Sequence, residues 1–184
     1  MTSPQTELPQ CRTRDLTNGE IKVSQDQRIH LRKNMAATSR AQYAVTETIL
    51  ERAAEVGVAR SVLELAFVRV SQVNGCAYCV DVHVGLAEKA YRADGLDDAT
   101  ISRKFALAPG WRDSADTYTE EERAALEIAE HVTLVATNPL PSDAYARLRG
   151  VLGDDQLAVF LMGCINMNVF NRIHLLSHTP VGQA

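Results

Sequence analysis

Apolar positions along most of the chain recur with a period near 3.6, the spacing of a helix that buries one face. From Ala36 to Val56, Tyr43, Ala44, Thr48, Ile49 and Ala53 share a face, and Gly57 stands where a helix would stop. A second helix is predicted from Ala59 or Ser61 to Val73, its stripe made by Leu63, Ala66, Phe67 and Val70 with Glu64 beside it, before Asn74-Gly75 breaks it. Asn-Gly between β-branched residues is also a hairpin signal, but both flanks keep helical spacing, so Ala77 to Arg92 reads as the next helix. Gly95 ends it, Asp97 or Asp98 opens a shorter helix to Leu107, and Pro109-Gly110 ends that one.

The same spacing continues in the second half. Residues 109 to 118 read as a loop around Trp111, a residue that could line a pocket or an interface. Thr119 before Glu120, Glu121 and Glu122 fits a capping box opening a helix to about Ala136, its core face carried by Ala125, Ile128, Ala129, Val132 and Val135. After Asn138-Pro139-Leu140-Pro141 comes a short helix from Ser142 to Leu152. A last one follows from Gln156 to about Leu176, apolar nearly all round between Leu157 and Ile165, which predicts burial. No stretch makes a convincing strand, so the fold class is all-α: a single-domain bundle of about seven helices over residues 36–176. An N-terminal arm over 1–35 and a tail over 177–184 flank it. The arm has no core of its own; Ile21 and Val23 alternate as in a short extended segment that could pack on the domain or on a partner subunit.

At 184 residues a chain can bury a substantial core without disulfides, and the composition is ordinary for a globular domain. A net charge of -4, with the arm's basic residues interrupted by acidic ones, argues against nucleic acid and anionic membranes as partners. The absence of an apolar leader and of a long uncharged apolar run predicts a soluble, cytoplasmic protein. In such a reducing compartment only Cys76 and Cys79, of four cysteines, are spaced for redox or metal chemistry. Cys164 reads as an inert core thiol, and Cys11 belongs to the arm. His30, His131, His174 and His178 read as ordinary polar residues, and Asn166, Asn171 and Arg172 as hydrogen-bonding or subunit-contact residues.

The chemistry concentrates in Glu64 to His83, ELAFVRVSQVNGCAYCVDVH. Cys76 and Cys79 lie at a helix N-terminus, where unpaired amides and the helix dipole favour thiolate, and their spacing permits a disulfide across one turn. His83 falls four residues after Cys79 on the same face and could take the thiol proton. Glu64 could hold the imidazole in one tautomer, completing a set of nucleophile, base and orienting group. Zinc bound by these four side chains is the rival reading. It is disfavoured because structural zinc usually draws on a second Cys or His pair, and Cys164 stands alone; no metal or organic cofactor is expected.

Glu64 followed by VSQVNGCAYCVDVH resembles the signature of the AhpD-like alkylhydroperoxidases of the carboxymuconolactone decarboxylase superfamily. The resemblance extends through ALAPGWRDS at 106–114, YTEEERAALEIAEHVT at 118–133 and INMNVFNR at 165–172. It implies an all-α, homo-oligomeric thiol peroxidase that reduces hydrogen peroxide or small organic hydroperoxides. By that likeness Cys79 attacks the peroxide, and Cys76 resolves the product as a disulfide and meets the reductant. A thiol reductant then resets the pair; the family points to a lipoyl-bearing or thioredoxin-like protein. The lactone-decarboxylase branch typically lacks the CxxC. One position departs from the family: where its well-studied members place a second His in the proton relay, this chain has Tyr78, which donates hydrogen bonds but accepts protons poorly at neutral pH. The alternative is therefore a redox-sensing or disulfide-exchange protein with little peroxidase turnover.

Overall fold

The computed structural model describes residues 28–114 and 116–182. Seven α-helices occupy them: α1 Leu31–Asn34, α2 Ala36–Glu55, α3 Arg60–Asn74, α4 Ala77–Ala93, α5 Asp98–Leu107, α6 Glu120–Thr133 and α7 Ser142–Ser177. The described residues contain no strand. Ile21, Val23 and Cys11 lie outside them. The arm's last residues fold into α1, whose Leu31 N–H donates to Ser177 Oγ at 3.1 Å, fastening them to the end of α7.

The turns follow from the sequence. Gly75 adopts φ 69°, the left-handed conformation that closes α3, while its N–H and that of Cys76 return to the carbonyls of Gln72 and Ser71. Asp97 caps α5 through the Thr100 amide. Thr119 and Glu122 form the full capping box of α6. Helix α6 stops at Thr133, earlier than its pattern predicts, because residues 134–138 curl into turns on the Leu134 carbonyl. Val135 therefore leaves the core stripe and is 64% exposed.

The bundle is organised around α3, which packs against α4, α6 and α7 and buries every residue from Ser61 to Val68. Leu63, Leu65 and Val68 are fully enclosed, together with Phe160 of α7 and Ile128 of α6. Each such side chain contributes about 1.5–3 kcal/mol by leaving water. Helix α7 runs through a break at Gly153, whose φ of 72° and ψ of 174° are non-helical, so its two parts match the two helices read from the sequence. Its second part is not buried all round. Cys164, Met167 and Asn171 face inward, while Met162, Ile165, Val169 and Leu176 stay exposed, because the single chain supplies neighbours on one side only. By length and composition α7 could cross a bilayer, yet half of its apolar window is buried inside the fold, as in a core helix.

Trp111 is enclosed within the chain. It sits in a 3₁₀ turn, Ala108–Asp113, is buried against Leu65, Tyr118 and Leu126, and donates from Nε1 to Glu130 at 3.0 Å. Glu130 also receives Arg69 and Arg112, tying α6 to α3 through a buried carboxylate whose three donors compensate its loss of water. The guanidinium groups and the indole pull its carboxyl below the usual range against the opposing effect of burial.

Candidate active site

Helices α3 and α4 are joined so tightly at Gly75 that Glu64, near the start of α3, faces the first turns of α4. Glu64 is fully buried and divides its two oxygens between two partners. Oε2 meets His83 Nδ1 at 2.6 Å, and Oε1 receives Arg60 Nη2 at 2.6 Å and Nε at 2.8 Å. With Nδ1–H donated to the carboxylate, His83 keeps Nε2 as its free acceptor. The imidazole is further fixed edge-on to Phe67, with ring centroids 5.4 Å apart.

Cys76 is the N-cap residue of α4 and Cys79 stands three residues on. Both are free thiols and both are buried. The Cys79 side chain lowers the Cys76 thiol to about 7 against the opposing effect of burial, with a smaller contribution from the Cys79 amide. Cys76 in turn, together with burial, pushes Cys79 up, while the Asn171 side chain pulls it down. The pair thus loses one proton easily and holds the second. Asn171 is itself fixed: its Nδ2 donates to Ser71 Oγ at 3.1 Å and its Oδ1 accepts from Asn74 Nδ2 at 2.9 Å.

Glu64, His83, Cys79 and Tyr78 line one cavity of about 220 Å³. Its walls are mostly apolar, with Leu50, Phe67, Val82, Leu86, Met167 and Phe170, while Thr46, Asn166 and Arg60 add polar groups. Cys76 does not line it. It lines a separate groove, bounded by Ala77, Leu175, His178 and Thr179. Between the two lies Tyr78, stacked on His174 with centroids 4.3 Å apart. His174 accepts or donates at Nδ1 with Thr179 Oγ1 at 3.0 Å, and burial, followed by the charges of Arg32, His30 and His83, lowers it to about 4. Among the described residues no three His, Cys, Asp or Glu side chains converge as a metal ion would require.

Three of these residues were not singled out as site residues in the sequence. Arg60 carried a usable signal, being four residues before Glu64 on one helix face. Asn171 and His174 carried none, since only the packing of α7 brings them beside the cysteine pair. Cys164, fully buried on α7 with its thiol pushed up to about 12 by burial, stands apart from this chemistry. His131 is buried against the Asn138 carbonyl.

An all-α fold carrying Glu, CxxC and His across one tight helix–helix turn defines the AhpD-like class. The carboxymuconolactone decarboxylase family matches residues 40–131, half of the chain. The uncharacterised protein YdfG of Bacillus subtilis (strain 168) is 35% identical over 116 residues, 63% of this chain and 73% of that protein. A crystal structure of an Agrobacterium tumefaciens protein of unknown function, put forward as the antioxidant defence protein AhpD, superposes with a TM-score of 0.69. It shares 30% identity and covers 86% of this chain and 100% of that one. The chain belongs to the carboxymuconolactone decarboxylase family, in its AhpD-like group.

Proposed function

We propose that this protein is a thiol-dependent peroxidase for hydrogen peroxide and small organic hydroperoxides. The observation that carries the reading is the convergence of Cys79 with the Glu64–His83 pair on one largely apolar cavity, with Cys76 one helical turn away and acting on the Cys79 thiol. The proton is lost more easily at Cys76, but a peroxide must reach the sulfur it oxidises, and Cys79 faces the cavity. The shared thiol contact lets the remaining proton move to Cys76.

His83 Nε2 takes the proton that the cysteine pair loses; the Cys79 thiolate then attacks one peroxide oxygen, the O–O bond breaks, and the departing alkoxide or hydroxide takes that proton from the imidazolium, whose charge Glu64 balances. Cys79 is left as a sulfenic acid. Cys76 attacks that sulfur, water leaves, and the Cys76–Cys79 disulfide stores two oxidising equivalents until a dithiol removes them. Apolar walls such as Leu50, Met167 and Phe170 favour an alkyl substituent on the peroxide. The exposed row Met162, Ile165, Val169 and Leu176 supports self-association of the enzyme.

Steady-state consumption of cumene hydroperoxide with dithiothreitol tests the reading. Cys79→Ser should abolish turnover, and His83→Asn should lower it by about 10²-fold or more. An undiminished rate in Cys79→Ser would overturn it. A redox switch with slow turnover is the second reading, favoured by Tyr78: its ring is engaged with His174 and supplies no base between the cysteines. Stoichiometric oxidation by peroxide without sustained turnover would select it.

A further inference from the structure

The disulfide that Cys76 and Cys79 would form has two faces, and they open onto different parts of the surface. Cys79 lines the apolar cavity with His83; Cys76 lines the groove beside Ala77, Leu175 and Thr179. Tyr78 and His174 are the two residues common to both, and their stacked rings form the wall between them. We infer that the protein has separate entrances for its oxidant and its reductant, with peroxide reaching Cys79 through the cavity and a slender dithiol reaching Cys76 through the groove.

The chemistry of exchange fixes the direction. A thiolate attacks a disulfide sulfur in line with the bond it breaks, from the side opposite the departing sulfur. With Cys79 on the cavity side of the wall, a nucleophile aimed at Cys76 has to come from the groove. The incoming thiolate forms a mixed disulfide with Cys76, and the electrons of the broken S–S bond go to Cys79 as a thiolate. The reductant's second thiolate then attacks its own sulfur, freeing Cys76 and leaving the dithiol oxidised by two electrons; its two protons restore the Cys thiols. Leaving ability alone would favour departure of Cys76. In the mixed disulfide, however, Cys76 carries neither proton nor charge, so its own contributions to raising Cys79 vanish and only burial still opposes the thiolate, which Asn171 stabilises as it departs. Cys76 is only 2% exposed in the lining of a groove of about 290 Å³, which suits a slender dithiol rather than a flat protein face.

The inference rests on the redox pair of the proposed function, and its test separates the two. Protein oxidised to the disulfide with diamide is reduced by dithiothreitol, and reduced protein is separately oxidised by cumene hydroperoxide, each followed by thiol titration. Ala77→Trp and Leu175→Trp, at exposed rim positions of the groove, should slow reduction by about tenfold or more while leaving oxidation by peroxide unchanged. Leu86→Trp, at the cavity mouth, should do the reverse. Leu175→Ala, which only widens the groove, should leave reduction undiminished, so a loss of rate in the tryptophan variants cannot be ascribed to removal of the leucine. Equal slowing of both half-reactions by the groove variants, no slowing of reduction, or slow reduction in Leu86→Trp would overturn the inference. Because diamide makes the disulfide in the reductive arm, a failure of the peroxidase reading leaves that arm intact.

Discussion

Glu64 shows how far a single side chain can organise a site. A buried carboxylate without partners would be strongly disfavoured, yet this one satisfies both oxygens, fixing His83 with one and engaging Arg60 with the other. The cysteine pair is governed by an equally local contact. The Cys79 thiol is the largest cause of the depressed Cys76 pKa, so alkylation of Cys76 by iodoacetamide should rise with pH around a midpoint of about 7. In Cys79→Ala, with that partner gone and burial still opposing ionisation, the midpoint should move up toward the usual thiol range. An unchanged midpoint in the variant would show that the helix N-terminus, and not the neighbouring thiol, activates Cys76. Glu64, Cys76, Cys79 and His83 were legible in the sequence because helical periodicity and one tight turn over twenty residues suffice to bring them together. Arg60 was within reach of the same reasoning. Asn171 and His174 were not, since their placement depends on how α7 packs on α3 and α4, and no local period encodes that.

At the scale of the elements, two glycines set the path of α7 and its approach to α3. Gly153 holds φ 72° and ψ 174°, a region essentially reserved for glycine, and no atom lies within 4 Å of the position its Cβ would take. Gly153→Ala should therefore destabilise the fold by about 1–3 kcal/mol through the backbone alone, measured by chemical denaturation. Gly163 is the opposite case: helical, but so close to α3 that a Cβ would lie 3.0 Å from Phe67, the ring against which His83 is set. The sequence placed most helix ends correctly because Gly57, Gly75, Gly95 and the Thr119–Glu122 capping box are local signals. It overran α6, where Leu134 and Val135 continue the apolar rhythm although the backbone has already turned. It also assigned full burial to the last helix, when the element enclosed on nearly every side is α3. Composition cannot distinguish these cases, because an apolar face reads the same whether or not another element covers it.

At the scale of the whole molecule, the uncovered row on α7 repeats at helical spacing, with Met162 50% and Leu176 61% exposed. If copies of the chain associate through it, Ile165→Glu should reduce the mass observed by light scattering to that of one chain without loss of helix content. A variant that keeps the wild-type mass would place the contact elsewhere. Helix α7 also has a bearing on how the protein is made. Its Asn171 follows Cys79 by about ninety residues, which at the usual pace of synthesis is an interval of about 5–20 s. Throughout that interval the nascent chain already carries both thiols but neither the amide that pulls the Cys79 thiol down nor the imidazole that stacks on Tyr78. The pair that the finished protein shields is thus open to cellular oxidants and to stray disulfides at birth, and the yield of active protein should depend on the reducing capacity of the cell during translation.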